Sequence, residues 1–152
     1  MSGIMVVVLG VGVLGFIGVT LVILMFFLRG QVRKIGTAWA DQGLTFHKGP
    51  EHATYQGHDS ATIPLRGSSV LGLTHHDLRL IRLVPRREFV IPLSQITQIE
   101  KRRSWKGKYQ PGTPVIVVQY QENGQADAIA FSVRDPQGWL DAIAAYAPIR
   151  PQ

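Results

Sequence analysis

The feature that most constrains this chain is an apolar run from Ile4 to Leu28. The run contains no charged residue, and Thr20 carries its only polar side chain. As a helix it would be roughly 37 Å long at about 1.5 Å per residue. That length exceeds a bilayer hydrocarbon core of about 30 Å. Because a helix also satisfies its own backbone hydrogen bonds, as lipid requires, residues 1–30 are predicted to form a single-pass transmembrane anchor.

A cleaved signal peptide is the alternative interpretation of this run. Such a peptide has a basic start, an apolar stretch of about 7 to 15 residues and a small-residue cleavage site. Here Met1 to Gly3 carries no basic side chain, and Phe26 to Arg29 offers no cleavage site. The sequence therefore favours an uncleaved anchor.

Basic side chains immediately follow the apolar run, at Arg29, Arg33 and Lys34, whereas only the α-amino group precedes it. Lys and Arg remain on the cytoplasmic side of a membrane. We therefore expect a protein of the cell (inner) membrane with its N-terminus outside and its soluble part in the cytoplasm.

Glycine recurs at every third position within the run, at Gly12, Gly15 and Gly18. On a helix these positions form a slowly drifting stripe that lets another helix approach closely. Glycine is also common in membrane helices, and no Gly-x-x-x-Gly pair is present. The stripe is therefore either a surface on which another helix packs or the usual glycine content of a membrane helix.

Residues 31–60 are predicted to form a juxtamembrane helix and a linker. Gln31 to Gln42 continues the helical pattern along the membrane interface and places Trp39 at headgroup depth, where an indole is favoured. Gly43 is expected to end this helix. Leu44 to Ser60 is polar and contains glycine and proline breakers, which is typical of a linker or of irregular cover on the domain edge.

Three histidines lie in the predicted linker: His47, His52 and His58. Their spacings match no helical ligand pair and no zinc-finger pattern. We expect solvated loop histidines, no metal site and no cofactor.

Composition narrows the function classes further. The length that remains after the anchor suits one ordinary domain, since typical domains have roughly 100 to 150 residues. Cys is absent, which excludes disulfides, thiolate zinc sites and cysteine nucleophiles. The formal net charge is +6, and the sequence pI is about 10.1. This basic balance favours an anionic lipid surface first and an acidic partner or nucleic acid second.

Residues 61–150 are predicted to form one mainly β domain, because short β-rich runs are bounded by turn residues. The seven predicted strands are Thr62–Arg66, Ser69–Leu73, Leu78–Leu83, Glu88–Ile91, Ile96–Trp105, Val115–Gln121 and Ala126–Val133. Asn123-Gly124 predicts a tight turn between the last two. Asp135 and Pro136 then begin an amphipathic helix that ends before Pro148 and covers the open end of the sheet with Trp139.

Several short motifs follow one another in order: Gly72-Leu73-Thr74, Leu78-Arg79-Leu80-Ile81, Ile91-Pro92-Leu93-Ser94-Gln95-Ile96, Phe131-Ser132 and the helix with Trp139. In this order, across residues 61–147, the chain resembles the bacterial pleckstrin-homology-like domains and the related GRAM domains. The resemblance implies a seven-stranded antiparallel barrel or sandwich of two roughly orthogonal sheets, capped by a C-terminal helix. It also implies binding of lipids, peptides or proteins, without catalysis.

Two basic groups are candidate membrane or partner contacts. The first interleaves cations and aromatics: Lys101, Arg102, Arg103, Trp105, Lys106, Lys108 and Tyr109. The second lies between the third and fourth predicted strands: Arg82, Arg86 and Arg87. Near an anionic leaflet each cation contributes about 1 kcal/mol. The alternative is a solvated hairpin that protects a strand edge from aggregation. The two groups either converge at one end of the sheet or are separated by a corner.

Other functions have less support in the sequence. There is no nucleophile elbow, phosphate loop or His-Glu-x-x-His motif, so an enzyme is not predicted. His75-His76-Asp77 falls where a polar turn is needed. Nucleic-acid binding is not expected without a recognition module. Arg66 is the one cation of the first hairpin, which argues against specific phosphoinositide recognition.

Two hypotheses remain open from the sequence. In the first, the chain is a membrane-anchored binding module whose cytoplasmic domain faces anionic lipid or an acidic protein. In the second, it is an accessory subunit of a larger membrane complex, held by its helix and its domain.

Overall fold

A computed structural model describes residues 2–62, 65–109 and 112–149, with the side chains of residues 2–14 and of Tyr109 outside the description. The first element is a single helix, α1, over Ser2–Asp41. Its segment Gly15–Asp41 is long and apolar enough to cross a membrane, by length and composition. The helix ends as predicted at Gly43, which has φ +76° and donates its N–H to the carbonyl of Ala40.

In the described part of the chain, nine strands and a second helix, α2, follow. The strands are β1 (Phe46–His58), β2 (Gly67–Thr74), β3 (Asp77–Arg82), β4 (Arg87–Pro92), β5 (Ile96–Arg102), β6 (Ser104–Trp105), β7 (Lys108–Tyr109), β8 (Val115–Glu122) and β9 (Gln125–Ser132), and α2 is Pro136–Tyr146. A short 3-10 turn, Leu93–Gln95, joins β4 to β5. Seven strands form one antiparallel sheet in the order β4-β3-β2-β1-β9-β8-β5, and β6 pairs with β7. The predicted layout of an apolar helix, seven antiparallel strands and a closing helix is confirmed.

The predicted linker over Leu44–Ser60 was wrong, because β1 occupies most of it. This strand pairs with β2 along most of its length and with β9 from Thr54 to His58. Its pairing shifts register beside the glycines, and Gly49 has φ +78° with Leu71 O only 2.5 Å from the position of a Cβ. The residues that suggested a linker are therefore irregularities within a central strand.

Two other strand predictions need correction. Of the predicted first strand, Thr62, Leu65 and Arg66 lie in the connection between β1 and β2 and belong to no strand. The β domain accordingly begins before residue 61. The predicted strand Ile96–Trp105 is interrupted at Arg103, where the chain leaves the main sheet and turns back as β6 and β7.

One main core lies inside the curved sheet. Inward side chains of strands from both ends of the sheet join it, among them Leu80, Ile116 and Phe131. Helix α2 closes this core with Trp139, which is 0% exposed. Asp135 caps α2 as predicted, since its Oδ1 accepts the backbone N–H of Gly138 at 3.0 Å.

Helix α1 packs against the outer face of the sheet, which is the face turned away from the main core. Ile35 and Trp39 form a separate apolar cluster there with Val70 and Ile81. Trp39 is 2% exposed, and its Nε1 donates to Glu88 Oε1 at 3.3 Å. The prediction that Trp39 lies at headgroup depth was therefore wrong. The sequence could not show that this indole would pack on a face of the sheet.

Candidate functional site

The first basic group, residues 101–109, comprises the end of β5 and the β6–β7 hairpin, which folds back so that Trp105 covers the outer face of β8 and β9. We call this group the basic hairpin. Lys106 and Gly107 make its two-residue turn with φ +47° and +74°. Trp105 is 6% exposed and packs against Val115, Val117 and neighbouring alanines. This burial leaves Trp105 no free surface for insertion into a bilayer.

Several cations of the basic hairpin are engaged within the protein. Lys101 Nζ donates to Gln137 Oε1 of α2 at 3.3 Å. Arg102 forms an ion pair with Glu100 at 2.5 Å. Lys106 Nζ donates to the carbonyls of His58 and Asp59, at 3.1 and 2.9 Å. Two further members, Arg103 and Lys108, are exposed, whereas the Tyr109 side chain lies outside the described residues.

The second basic group surrounds the end of the β3–β4 hairpin. Arg82 is 6% exposed, donates from Nε to Pro85 O at 3.0 Å, and lies over the ring of Tyr55 at 5.3 Å. Arg87 lies over the Phe89 ring at 4.8 Å, and its side chain is exposed, as is that of Arg86. Arg82 is thus part of the fold, whereas Arg86 and Arg87 face solvent.

The two basic groups meet in part around His58, at the end of β1. The imidazole shares a hydrogen bond with the Tyr55 hydroxyl. Burial, followed by the nearby charge of Arg87, lowers the pKa of His58, and Lys106 and Arg82 act in the same direction. Lys101, at the α2 end of β5, is not part of this meeting point.

Asp127 supplies the negative charge beside His58. Burial by itself would raise the pKa of this carboxyl, but hydrogen bonds from the Ser60 hydroxyl and from two backbone N–H groups hold it below its usual value. The Ser60 hydroxyl donates to Asp127 Oδ2 at 2.6 Å. Burial, then the charge of Asp127, raises the pKa of Tyr120. The cluster is therefore a partly neutralised basic site.

The lowered pKa of His58 predicts a pH dependence of stability. The unfolded imidazole, with a pKa of about 6.5, binds a proton more readily than the folded one, so stability is present above that pH and is lost as the pH falls below it. We expect the midpoint temperature of thermal unfolding to be lower at about pH 5.5 than at about pH 7.5. This difference should be smaller in His58→Gln. Thermal unfolding of both proteins measures this, and equal decreases would contradict it.

Two exposed apolar side chains lie at the same end of the domain and were missed by the sequence prediction. Val84 is 79% exposed and Leu65 is 45% exposed. A Cβ on Gly67, at the start of β2, would lie 3.5 Å from Val84 O, so the two loops adjoin. We call this region, residues 59–62, 65–66 and 83–86, the loop end. The signal that could have found it is an apolar residue in a turn flanked by cations, as in Val84-Pro85-Arg86.

The remaining candidates were the helix glycines and the histidines. Gly15 and Gly18 have no atom within 4 Å of a Cβ position, and Gly12 lies outside the described side chains. The predicted turn at His75-His76-Asp77 is present, since Thr74 Oγ1 accepts two of its backbone N–H groups. Over the described ranges, no group of three or more His, Asp or Glu is placed to hold a metal ion.

Comparison with known proteins adds no assignment. No family model matches the chain, and no curated protein matches it. A function for the loop end therefore rests on its own geometry and chemistry.

Proposed function

We propose that the chain is a non-enzymatic, membrane-anchored binding module whose domain rests its loop end on the anionic surface of the inner leaflet. One observation carries this proposal: α1 continues without a break from the apolar run into the domain and packs on it through Ile35 and Trp39. A rigid junction gives the domain one orientation relative to the bilayer. Arg29, Arg33 and Lys34 favour the cytoplasmic side.

The direction of α1 indicates which end faces the bilayer. Trp39 lies at the far end of the helix, beside Gly72, and the centre of its ring is 5.2 Å from that of Phe46. Val32, two helical turns nearer the apolar run, packs against the same cluster, as does Leu83. Because β3 runs from the Gly72 side of the cluster towards Leu83, we infer that the apolar run leaves the domain on the side of Leu83 and the loop end.

The loop end has the chemistry of a lipid-contacting surface. Val84 and Leu65 are apolar and exposed, and Arg86 and Arg87 beside them are exposed cations. An apolar side chain gains by entering the interface, and each cation near an anionic leaflet contributes about 1 kcal/mol. Tethering by α1 gives these weak contacts a high effective concentration.

The fold is also compatible with the pleckstrin-homology-like resemblance, which forms part of this proposal. A central β1 joins two groups of strands, and α2 closes the core at one end. The pleckstrin-homology-like and GRAM domains that the sequence resembles use such a framework for binding, with loops as the contact surface. The basic hairpin offers fewer groups for membrane contact than the sequence predicted, because Trp105 and Lys106 are engaged within the fold.

The absence of Cys allows a direct test with single-cysteine variants of the full chain. We expect a fluorophore on Val84→Cys or Leu65→Cys, in bilayer nanodiscs, to be quenched by quencher-bearing lipids. The matched position is His76→Cys, exposed in the β2–β3 turn at the other end of the domain, where no quenching is expected. Anionic lipid should strengthen the quenching at Val84, and Arg86→Gln with Arg87→Gln should weaken it.

Equal quenching at positions 84 and 76, or none at either, would overturn the proposal. Quenching at position 84 that is independent of both anionic lipid and the two arginines would contradict the electrostatic part.

A further inference from the structure

A cluster of aromatic side chains lies at the end of the domain opposite the loop end, and it is formed by His47, His75 and Tyr146. His47 lies at the bulged start of β1, His75 lies in the β2–β3 turn, and Tyr146 is the last residue of α2. The cluster therefore fastens the end of α2 to two parts of the sheet that are distant from it in the chain.

His47 is the centre of a continuous hydrogen-bonded chain in this cluster. The Tyr146 hydroxyl lies 3.2 Å from His47 Nδ1, and His47 Nε2 lies 2.5 Å from His75 Nδ1. The ring of Tyr146 also stacks on that of His47, with 4.2 Å between the ring centres. Both nitrogens of His47 are thus engaged, and the position of Tyr146 depends on the position of His47.

The contact between the two imidazoles limits the number of protons that they can bind. A hydrogen bond between His47 Nε2 and His75 Nδ1 needs a hydrogen on one nitrogen and a lone pair on the other. A neutral pair satisfies this condition, and so does a pair that has bound one additional proton. With two additional protons both nitrogens carry a hydrogen, and the two positive rings repel each other.

Charged side chains on the surrounding elements are directed to other partners. These contacts are the ion pairs Lys48–Asp135 and Asp77–Arg79 and the hydrogen bond from Gln137 to Asp141. Asp41, which ends α1, is exposed and forms no ion pair in the described part of the chain. The ring of His76 is exposed beside His75, with 6.4 Å between the ring centres. Over the described ranges, no carboxylate is therefore paired with either imidazole of the cluster.

We propose that His47 and His75 form a pH-operated latch, which holds Tyr146 on the sheet until a second proton binds to the pair and then releases it. Partial desolvation, followed by the charge of His75, lowers the pKa of His47 and so delays the second proton. Trp139 and Ile143 remain in the main core, so the release is a local opening of the last turn of α2. The latch is independent of lipid contact, because it lies at the other end of the domain.

The titration of single imidazoles by NMR tests the shared proton, with the full chain in nanodiscs and isotope-labelled histidine. We expect His47 and His75 to bind their two protons in steps separated by at least about one pH unit. His75→Gln retains a hydrogen-bonding side chain that cannot become charged, so His47 should then titrate in a single step. The matched substitution in the same turn, His76→Gln, should preserve both steps.

A nitroxide on Ala145→Cys, at an exposed position in the last turn of α2, measures the release. Its mobility should increase as the second proton binds, and it should not change with pH when His75→Gln is also present. A nitroxide on Gln121→Cys, exposed near the end of β8, should not respond, which separates local release from acid unfolding. His58→Gln should leave the response at position 145 unchanged.

Three results would overturn the latch. The first is titration of His47 and His75 as independent groups with ordinary histidine pKa values of about 6.5. The second is an equal pH response of the nitroxide at position 145 with and without His75→Gln. The third is an increase in mobility that occurs equally at positions 145 and 121.

Discussion

Replacing Trp39 by Ala is expected to lower the free energy of unfolding of the domain by about 3 to 5 kcal/mol. The indole is 2% exposed and fills the space between α1 and the sheet, against Phe46 and over Gly72. Its removal leaves a cavity at this junction and Glu88 without the indole donor. Since a domain of this size is stable by only about 5 to 15 kcal/mol, the loss is a large fraction of the total.

Denaturant unfolding of the full chain in nanodiscs measures this effect. Trp39→Phe keeps an aromatic ring in the junction and removes the hydrogen bond to Glu88, so it should cost less, about 1 kcal/mol. If α1 also sets the orientation of the domain, Trp39→Ala should reduce lipid quenching at position 84. Unchanged stability in Trp39→Ala would show that α1 is not part of the domain.

Replacing Trp139 by Ala is the second large effect, and we again expect a loss of about 3 to 5 kcal/mol. Trp139 is 0% exposed and closes the main core from α2. Its Nε1 donates to Glu51 Oε1 of β1, and Lys48 Nζ lies 5.7 Å from the centre of its ring. Removing the indole therefore opens the core and detaches α2 from the bulged half of β1.

Tyr146→Ala is the matched control for this prediction, because it removes a large aromatic side chain from the same helix at a position that is 44% exposed. Its cost should be small, since substitutions at exposed positions usually change stability by less than about 0.5 kcal/mol. Equal losses in the two variants would show that α2 is held by its surface and not by its buried indole.

Elements governed by local chemistry were predicted correctly from the sequence. The turn at Asn123-Gly124 forms with φ +52° and +79°, because asparagine and glycine tolerate the positive φ that this turn demands. The start of α2 at Asp135 and Pro136 follows from capping. Both signals are contained in a few adjacent residues, so no distant contact was needed to interpret them.

The first strand was missed for a physical reason. β1 is polar, and its glycines and bulges break the alternation that identifies a strand. It is held by distant partners instead: Lys48 pairs with Asp135 at 3.2 Å, and Gln56 bonds Ser132. Contacts between residues 76 or more positions apart leave no pattern within the strand itself.

The candidate sites divide in the same way. The positions of the basic residues are visible in the sequence, but only the fold shows that Arg82 is buried over Tyr55 and that Lys106 reaches His58. The loop end combines residues from separate elements, so it has no sequence motif. Its composition becomes visible only when the strands are paired.

The sequence by itself determined the apolar helix, the β character of the domain and the closing helix, because hydrophobic run length, turn chemistry and helix capping are local properties. Only the tertiary structure decided that Trp39 joins the helix to the domain, that Trp105 is buried and that Val84 is exposed. These outcomes depend on which surfaces meet, and a side chain's burial is set by its neighbours in space and not by its neighbours in the chain.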